Sequence, residues 1–119
     1  MNKGEIYLAR LHQEQDYNIS KTRPVLIFQN DLLNRAVDET IYRDVTVIPL
    51  STHIISGSYR FHIRARDRLR YDCDIVCNAL CTISIDTLLR EESPLTSLKE
   101  EEIHAIETIL LQLFDIGNS

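Results

Sequence analysis

Glycine and proline are scarce, with three of each scattered over 119 residues. That scarcity leaves no Gly-rich phosphate loop and no Pro/Gly/Ser linker, and no repeat or low-complexity tract divides the chain. G-x-S-x-G and G-x-G-x-x-G are missing as well, so hydrolase-elbow and dinucleotide readings have no support. No stretch approaches the ~18 consecutive apolar residues of a membrane span, and no signal-peptide pattern heads the sequence. Cysteines number three, an odd count without a small disulfide scaffold to serve. A reducing cytoplasm is the expected location, with no membrane contact.

What is present is ordinary for a soluble globule: 44% apolar residues and 26% charged. The length fits a single domain over 1–119 with one hydrophobic core. The net charge of −5 argues against a protein that coats nucleic acid non-specifically, yet it hides an asymmetry. Residues 1–70 carry 11 Lys and Arg against 8 Asp and Glu, while residues 71–119 carry 2 against 10. A local basic surface can therefore exist in the N-terminal half.

Periodicity predicts strands over 5–11, 23–29, 41–50, 59–66 and 73–85, with a polar loop over 12–22 and a loop with a helical turn over 30–40. In 59–66, Tyr59, Phe61 and Ile63 share one face, and Arg60, His62, Arg64 and Arg66 the other. Segment 73–85 alternates more cleanly still. A final helix follows, with Ser97 and Glu100 as a capping box, Ile103, Ile106, Ile109, Leu110, Leu113 and Phe114 at helical spacing, and Gly117 at its stop. These elements predict a mainly β (α+β) fold: a compact barrel of five to six mostly antiparallel strands with a C-terminal helix.

The C-x3-C-x3-C spacing of Cys73, Cys77 and Cys81 invites a metal reading. Four residues along a strand cover roughly 13 Å, however, so thiolates there cannot share one zinc with bonds of ~2.3 Å. Three core cysteines are the expectation. His12, His53, His62 and His104 show no metal-ligand spacing; His53, after Ser51 and Thr52, is the one candidate for a polar site. The stripe Arg60, His62, Arg64, Arg66, extended by Arg68 and Arg70, can track phosphates or be a solvated strand face. In "KTRPVLIFQND", Arg23 stands immediately before Pro24, which restricts its backbone. Its planar fork suits a phosphate. Ser51 and Thr52 close another strand with two hydroxyls.

These segments, in this order, resemble the MazF/PemK family of bacterial toxins. The residues that carry the resemblance are Gly4-Glu5-Ile6-Tyr7, Arg23-Pro24-Val25-Leu26 with Asn30-Asp31, and Pro49-Leu50-Ser51-Thr52. Tyr59-Arg60 stands at the expected next strand and Leu95-Thr96 at the expected final helix. The resemblance implies an SH3-like barrel and a homodimer. It implies a cofactor-free, metal-independent endoribonuclease that cleaves single-stranded RNA through its own 2′-hydroxyl. It also implies a cognate antitoxin, with operator DNA bound through the antitoxin complex. Arg23, Ser51 and Thr52 are the implied catalytic residues; Lys21, Thr22, His53, Arg60, Arg64 and Asn78 are the expected RNA contacts. The chain departs from the family at Asn18, near the usual loop glutamate, and at Ala79 and Cys81, where relatives carry a glutamine and a basic residue. Two rival classes therefore stand beside the nuclease: a same-fold toxin acting by protein contact, as gyrase poisons do, and a weakened member that binds only antitoxin or operator DNA.

Overall fold

The computed structural model of the protein describes residues 1–12, 20–39, 41 and 43–117. Seven strands appear in chain order: β1 Glu5–His12, β2 Ser20–Ile27, β3 Asp44–Ser51, β4 Arg60–Ile63, β5 Cys73–Val76, β6 Cys81–Ser84 and β7 Thr96–Ser97. Two helices join them, α1 Asp31–Ala36 and α2 Glu100–Leu113. The sheet order is β4-β5-β3-β2-β1-β7, with β6 also beside β3, and every pairing is antiparallel. This is a curled half-barrel sheet with a C-terminal helix, mainly β and antiparallel as the pattern predicts, with seven described strands where five to six are expected. Among the described residues, no helix is long and apolar enough to cross a membrane.

β2 over 25–27 and β3 over 45–50 have buried residues on both faces, which explains why they read as near-continuous apolar runs. Ile6, Leu26, Ile48, Leu50, Ile63 and Ile75 turn toward α2 and meet its Ile106 and Leu110. Their neighbours Tyr7, Val25, Ile27, Val45 and Val47 turn the other way, onto Val37, Ile85 and Leu88. Each fully buried Leu or Ile contributes roughly 1.5–3 kcal/mol, so this two-sided burial is the main source of cohesion. Tyr7 is drawn into the second cluster, where burial and the Glu5 carboxylate that accepts its hydroxyl push its pKa up to about 12.

Several elements differ from the pattern. Segment 73–85 is not one strand. β5 and β6 lie along the same edge of β3, separated by a 3-10 turn at Cys77–Ala79, and the pairing register shifts by three residues across it. The shift carries Cys73 and Cys77 into the core but leaves Cys81 exposed, so the expected trio of core cysteines is a pair. β4 ends at Ile63, because the chain turns at Asp67 (φ 52) to bring Arg66 opposite Leu69. The helical turn expected within 30–40 is the short helix α1 over 31–36. The Asn30 side chain caps it by accepting from Leu33 N–H at 2.8 Å, and Asp31 accepts from Lys3 N–H and Asn34 Nδ2. Thr96 belongs to β7, and α2 starts later, with Glu102 Oε1 accepting from Lys99 N–H at 2.8 Å in place of the Ser97–Glu100 box. α2 ends at Leu113, and Asp115 (φ 55), ahead of Gly117, takes the left-handed position after it: Ile116 N–H reaches Leu111 C=O and Asp115 N–H reaches Gln112 C=O.

Candidate active site

The two strands that carry the sequence candidates part company at the site. β2 pairs with β3 only over 25–27, where Val25 faces Pro49, whereas its pairing with β1 continues to Ser20. Residues 20–24 thus project past β3 with one neighbour. Proline cannot donate to a ladder, and Pro24 falls where β2 has left β3. The opening between the diverging strands is an open cleft of about 850 Å³.

Lys21, Thr22, Arg23 and Pro24 form its β2 wall, with Leu50 and Thr52 at the end of β3 across from them. Its far wall is the turn after β4: Asp67, Arg68, Arg70 and Tyr71, joined by Glu92. Arg68 is engaged there by Glu92 at 3.3 Å and the Pro94 carbonyl at 3.0 Å, and Asp67 accepts from the Thr96 hydroxyl. The side chains of Lys21, Arg23 and Arg70 make no hydrogen bond or ion pair among the described residues. Of the two carboxylates that could pair with Arg23 structurally, Asp31 is occupied elsewhere and Asp16 lies outside the described residues. A cleft with three cationic side chains that have no partner among the described residues, the hydroxyls of Thr22 and Thr52 and the exposed ring of Tyr71 suits a phosphate chain with a base beside it.

The other expected site residues lie apart from this cleft. Ser51 is half-buried next to it, its Oγ accepting from His53 N–H at 3.1 Å. His53, Arg64 and Asn78 are exposed and line no part of the opening. Arg60 is bound through one nitrogen, Nη1, to the Asp74 carboxylate at 3.1 Å and to the His53 carbonyl at 3.0 Å, so part of its fork is engaged within the fold. Arg66 is likewise held, by Glu102 at 2.9 Å and the Ser97 carbonyl. Asn18 lies outside the described residues. Among the described residues, no three His, Cys, Asp or Glu side chains are grouped to hold a metal ion.

The far wall is what pattern reading misses. Arg68 and Arg70 look like the continuation of the β4 stripe, and only the acidic residue in "RDRL" hints at the turn that folds them back. Tyr71 and Glu92 give no sequence signal of their own.

The fold and cleft define a small toxin-type barrel. The family model of PemK-like, MazF-like toxins of type II toxin-antitoxin systems matches residues 2–114, and the chain belongs to that family. The Mycobacterium tuberculosis toxin MazF-mt6 superposes with a TM-score of 0.73 at 22% identity, covering 96% of this chain and 99% of that one. A mycobacterial endoribonuclease in complex with its cognate antitoxin gives 0.72 at 18%, covering 100% and 99%. MazE-MazF from Deinococcus radiodurans gives 0.76 at 9%, covering 98% and 97%. No curated protein matches the sequence.

Proposed function

We propose that this toxin is a metal-independent endoribonuclease that cleaves single-stranded RNA in the cleft between β2 and the 67–71 turn. The observation that carries the reading is Arg23, half-buried in the cleft wall without a partner among the described residues, across from Thr52. Transesterification by the substrate's own 2′-oxygen needs no metal or cofactor. The 2′-oxygen attacks the adjacent phosphorus and loses its proton, the 5′-oxygen leaves and gains one, and charge accumulates on the non-bridging oxygens between. The products are a 2′,3′-cyclic phosphate and a 5′-hydroxyl.

Arg23 supplies a fixed cation to those oxygens and N–H groups near the leaving oxygen. Thr52 donates its hydroxyl to a second non-bridging oxygen. Lys21 and Arg70 hold the flanking phosphates, and Thr22 stands between Lys21 and Arg23 on the same wall. Ser51 supports the turn rather than touching substrate. The solved relatives described as an endoribonuclease and as antitoxin complexes support the same activity and a cognate antitoxin for this chain. A homodimer is part of the proposal.

The test is incubation of the protein with a long transcript in EDTA. Discrete cuts bearing 5′-hydroxyl ends, abolished where the nucleotide 5′ of the cut is 2′-deoxy, are the expected result. An intact transcript would leave a toxin that acts by protein contact.

A further inference from the structure

Asp74, which is buried, and Arg60, which is partly buried, form an ion pair outside the cleft wall. Asp74 in β5 is 2% exposed and lies opposite Ser51 in the β3–β5 register. Its Oδ2 accepts from the backbone N–H of Ile55 at 3.0 Å and from Arg60 Nη1 at 3.1 Å, and its Oδ1 faces His62 Nδ1 at 3.3 Å. The same Arg60 nitrogen donates to the His53 carbonyl at 3.0 Å. One ion pair therefore grips two backbone points of the segment leaving β3.

Among the described residues, the segment's other hydrogen bonds are that of His53 N–H to Ser51 Oγ and, at its far end, those accepted by the Gly57 carbonyl from Arg60 N–H and by the Tyr59 carbonyl from Cys77 N–H. Residues 52–59 are all exposed, Ile54 and Ile55 included, so no apolar anchor fixes the path. Thr52, which reaches the cleft, sits between Ser51 and His53, and the Ser51 hydroxyl accepts from His53 N–H. The clamp on 53–55 thus sets where Thr52 stands. Net stability is a weak reason to bury such a pair, since an apolar replacement is often as stable. Fixing one conformation of a cleft residue is a better one.

We propose that Asp74 and Arg60 are positioning residues, which clamp the turn after β3 and hold Thr52 toward the scissile phosphate. The proposal rests on the ribonuclease reading of the cleft, and it assigns Arg60 a role other than phosphate binding. Arg60→Gln, Asp74→Asn and the double variant are compared by single-turnover cleavage of a long transcript. Affinity is measured on a 2′-O-methylated copy of the same RNA. The expected result is a rate loss of about 10- to 100-fold, as for a small misplacement of a catalytic group. Affinity stays within about two-fold with an unchanged salt dependence, and the double variant is no slower than the slower single, because the two act as a unit. A weaker affinity with a salt slope reduced by about one would make Arg60 a phosphate ligand and overturn the proposal. So would unchanged cleavage.

Amide spectra separate this from the activity itself. In the variants, the Thr52 and Ile55 amide signals should shift and exchange faster, while those of Ile48 and Val47 in the core stay put. Unmoved Thr52 and Ile55 signals sink the clamp even if the wild type cuts RNA. A wild type that leaves RNA intact removes the ribonuclease reading, with the amides still deciding whether the clamp exists. Arg60, whose side chain is 22% exposed, is the milder change and keeps the comparison readable if Asp74→Asn fails to fold.

Discussion

A Cβ placed on Gly4 would lie 2.7 Å from Cδ1 of Ile103. Gly4 also has φ +93, a backbone conformation that side chains rarely adopt, and it joins two elements at once: its N–H donates to the Ile27 carbonyl and its carbonyl accepts from Leu98 N–H. Gly4→Ala therefore faces backbone strain as well as a collision, although the end of Ile103 can move aside. The expected loss is about 1–3 kcal/mol, most of it strain. Gly57 is the control: a methyl there would meet nothing within 4 Å and its φ is not positive, so Gly57→Ala should be near neutral. Urea melts of both variants check the pair.

Asp74 makes stability depend on acid. Burial opposes its ionisation, but the Ile55 N–H, Arg60 and His62 together outweigh burial and hold its carboxyl below the usual aspartate range. A carboxyl whose folded pKa is depressed contributes stability above its unfolded pKa, about 3.9, and loses it as pH falls through the folded value. Wild type should therefore keep this contribution at neutral pH and shed it below about pH 4. Glu102 shifts the same way: burial opposes its charge, but Arg66 and Lys99 N–H outweigh it. Asp74→Asn should be less stable than wild type near neutrality, and the gap should narrow toward acid, where the native carboxyl is itself protonated. Equal gaps at both ends of the pH series would contradict this.

The three cysteines should separate by reactivity. Burial pushes the Cys77 thiol up to about 11 and also raises Cys73, whose neighbours Asp72 and Asp74 add to the effect. Cys81 is raised by partial burial, yet it alone of the three is exposed. Iodoacetamide on the native protein should mark Cys81 first and slowly, with Cys73 and Cys77 following only on unfolding. Peptide mass spectrometry reads the order. Early labelling of Cys77 would mean that the core between the sheet and α2 opens more readily than its packing implies.

Those cysteines also show where sequence reading succeeds and where it stops. β2 and β3 are legible because burial on both faces leaves uninterrupted apolar runs. The break after Val76 is not, because a 3-10 turn leaves the alternation of residue types intact while shifting the register under it. Arg60 reads as a solvated or RNA-facing cation, and its partner Asp74 reads as an incidental neutraliser. Only the cross-strand register puts His62 opposite Asp74 and brings the three groups together. Arg23 and Thr52 are legible as candidates since each sits in a recognisable motif, one before Pro24 and the other just past β3. The wall facing them is not, because it is assembled from 67–71 and Glu92, far along the chain from both.

Arg23 itself gives the sharpest test. Pro24 falls where β2 separates from β3, and the preceding residue is biased to extended backbone by the proline ring. The guanidinium is thereby placed on the cleft wall, with no ion pair among the described residues to account for it. If it stabilises charge on the phosphorane, Arg23→Ala should cost ~10²–10³ in cleavage rate. A surface ion pair would be worth only ~0–1 kcal/mol of stability and would leave turnover almost intact. The thermal midpoint of the same preparation should therefore move little, since no described contact is lost. Arg23→Lys should recover only part of the rate, because a point charge replaces one cation but not the fork's two simultaneous hydrogen bonds. Cleavage near the wild-type level in Arg23→Ala, or a loss that tracks unfolding, would remove Arg23 from the catalytic assignment and leave Lys21 and Arg70 as the cations of the cleft.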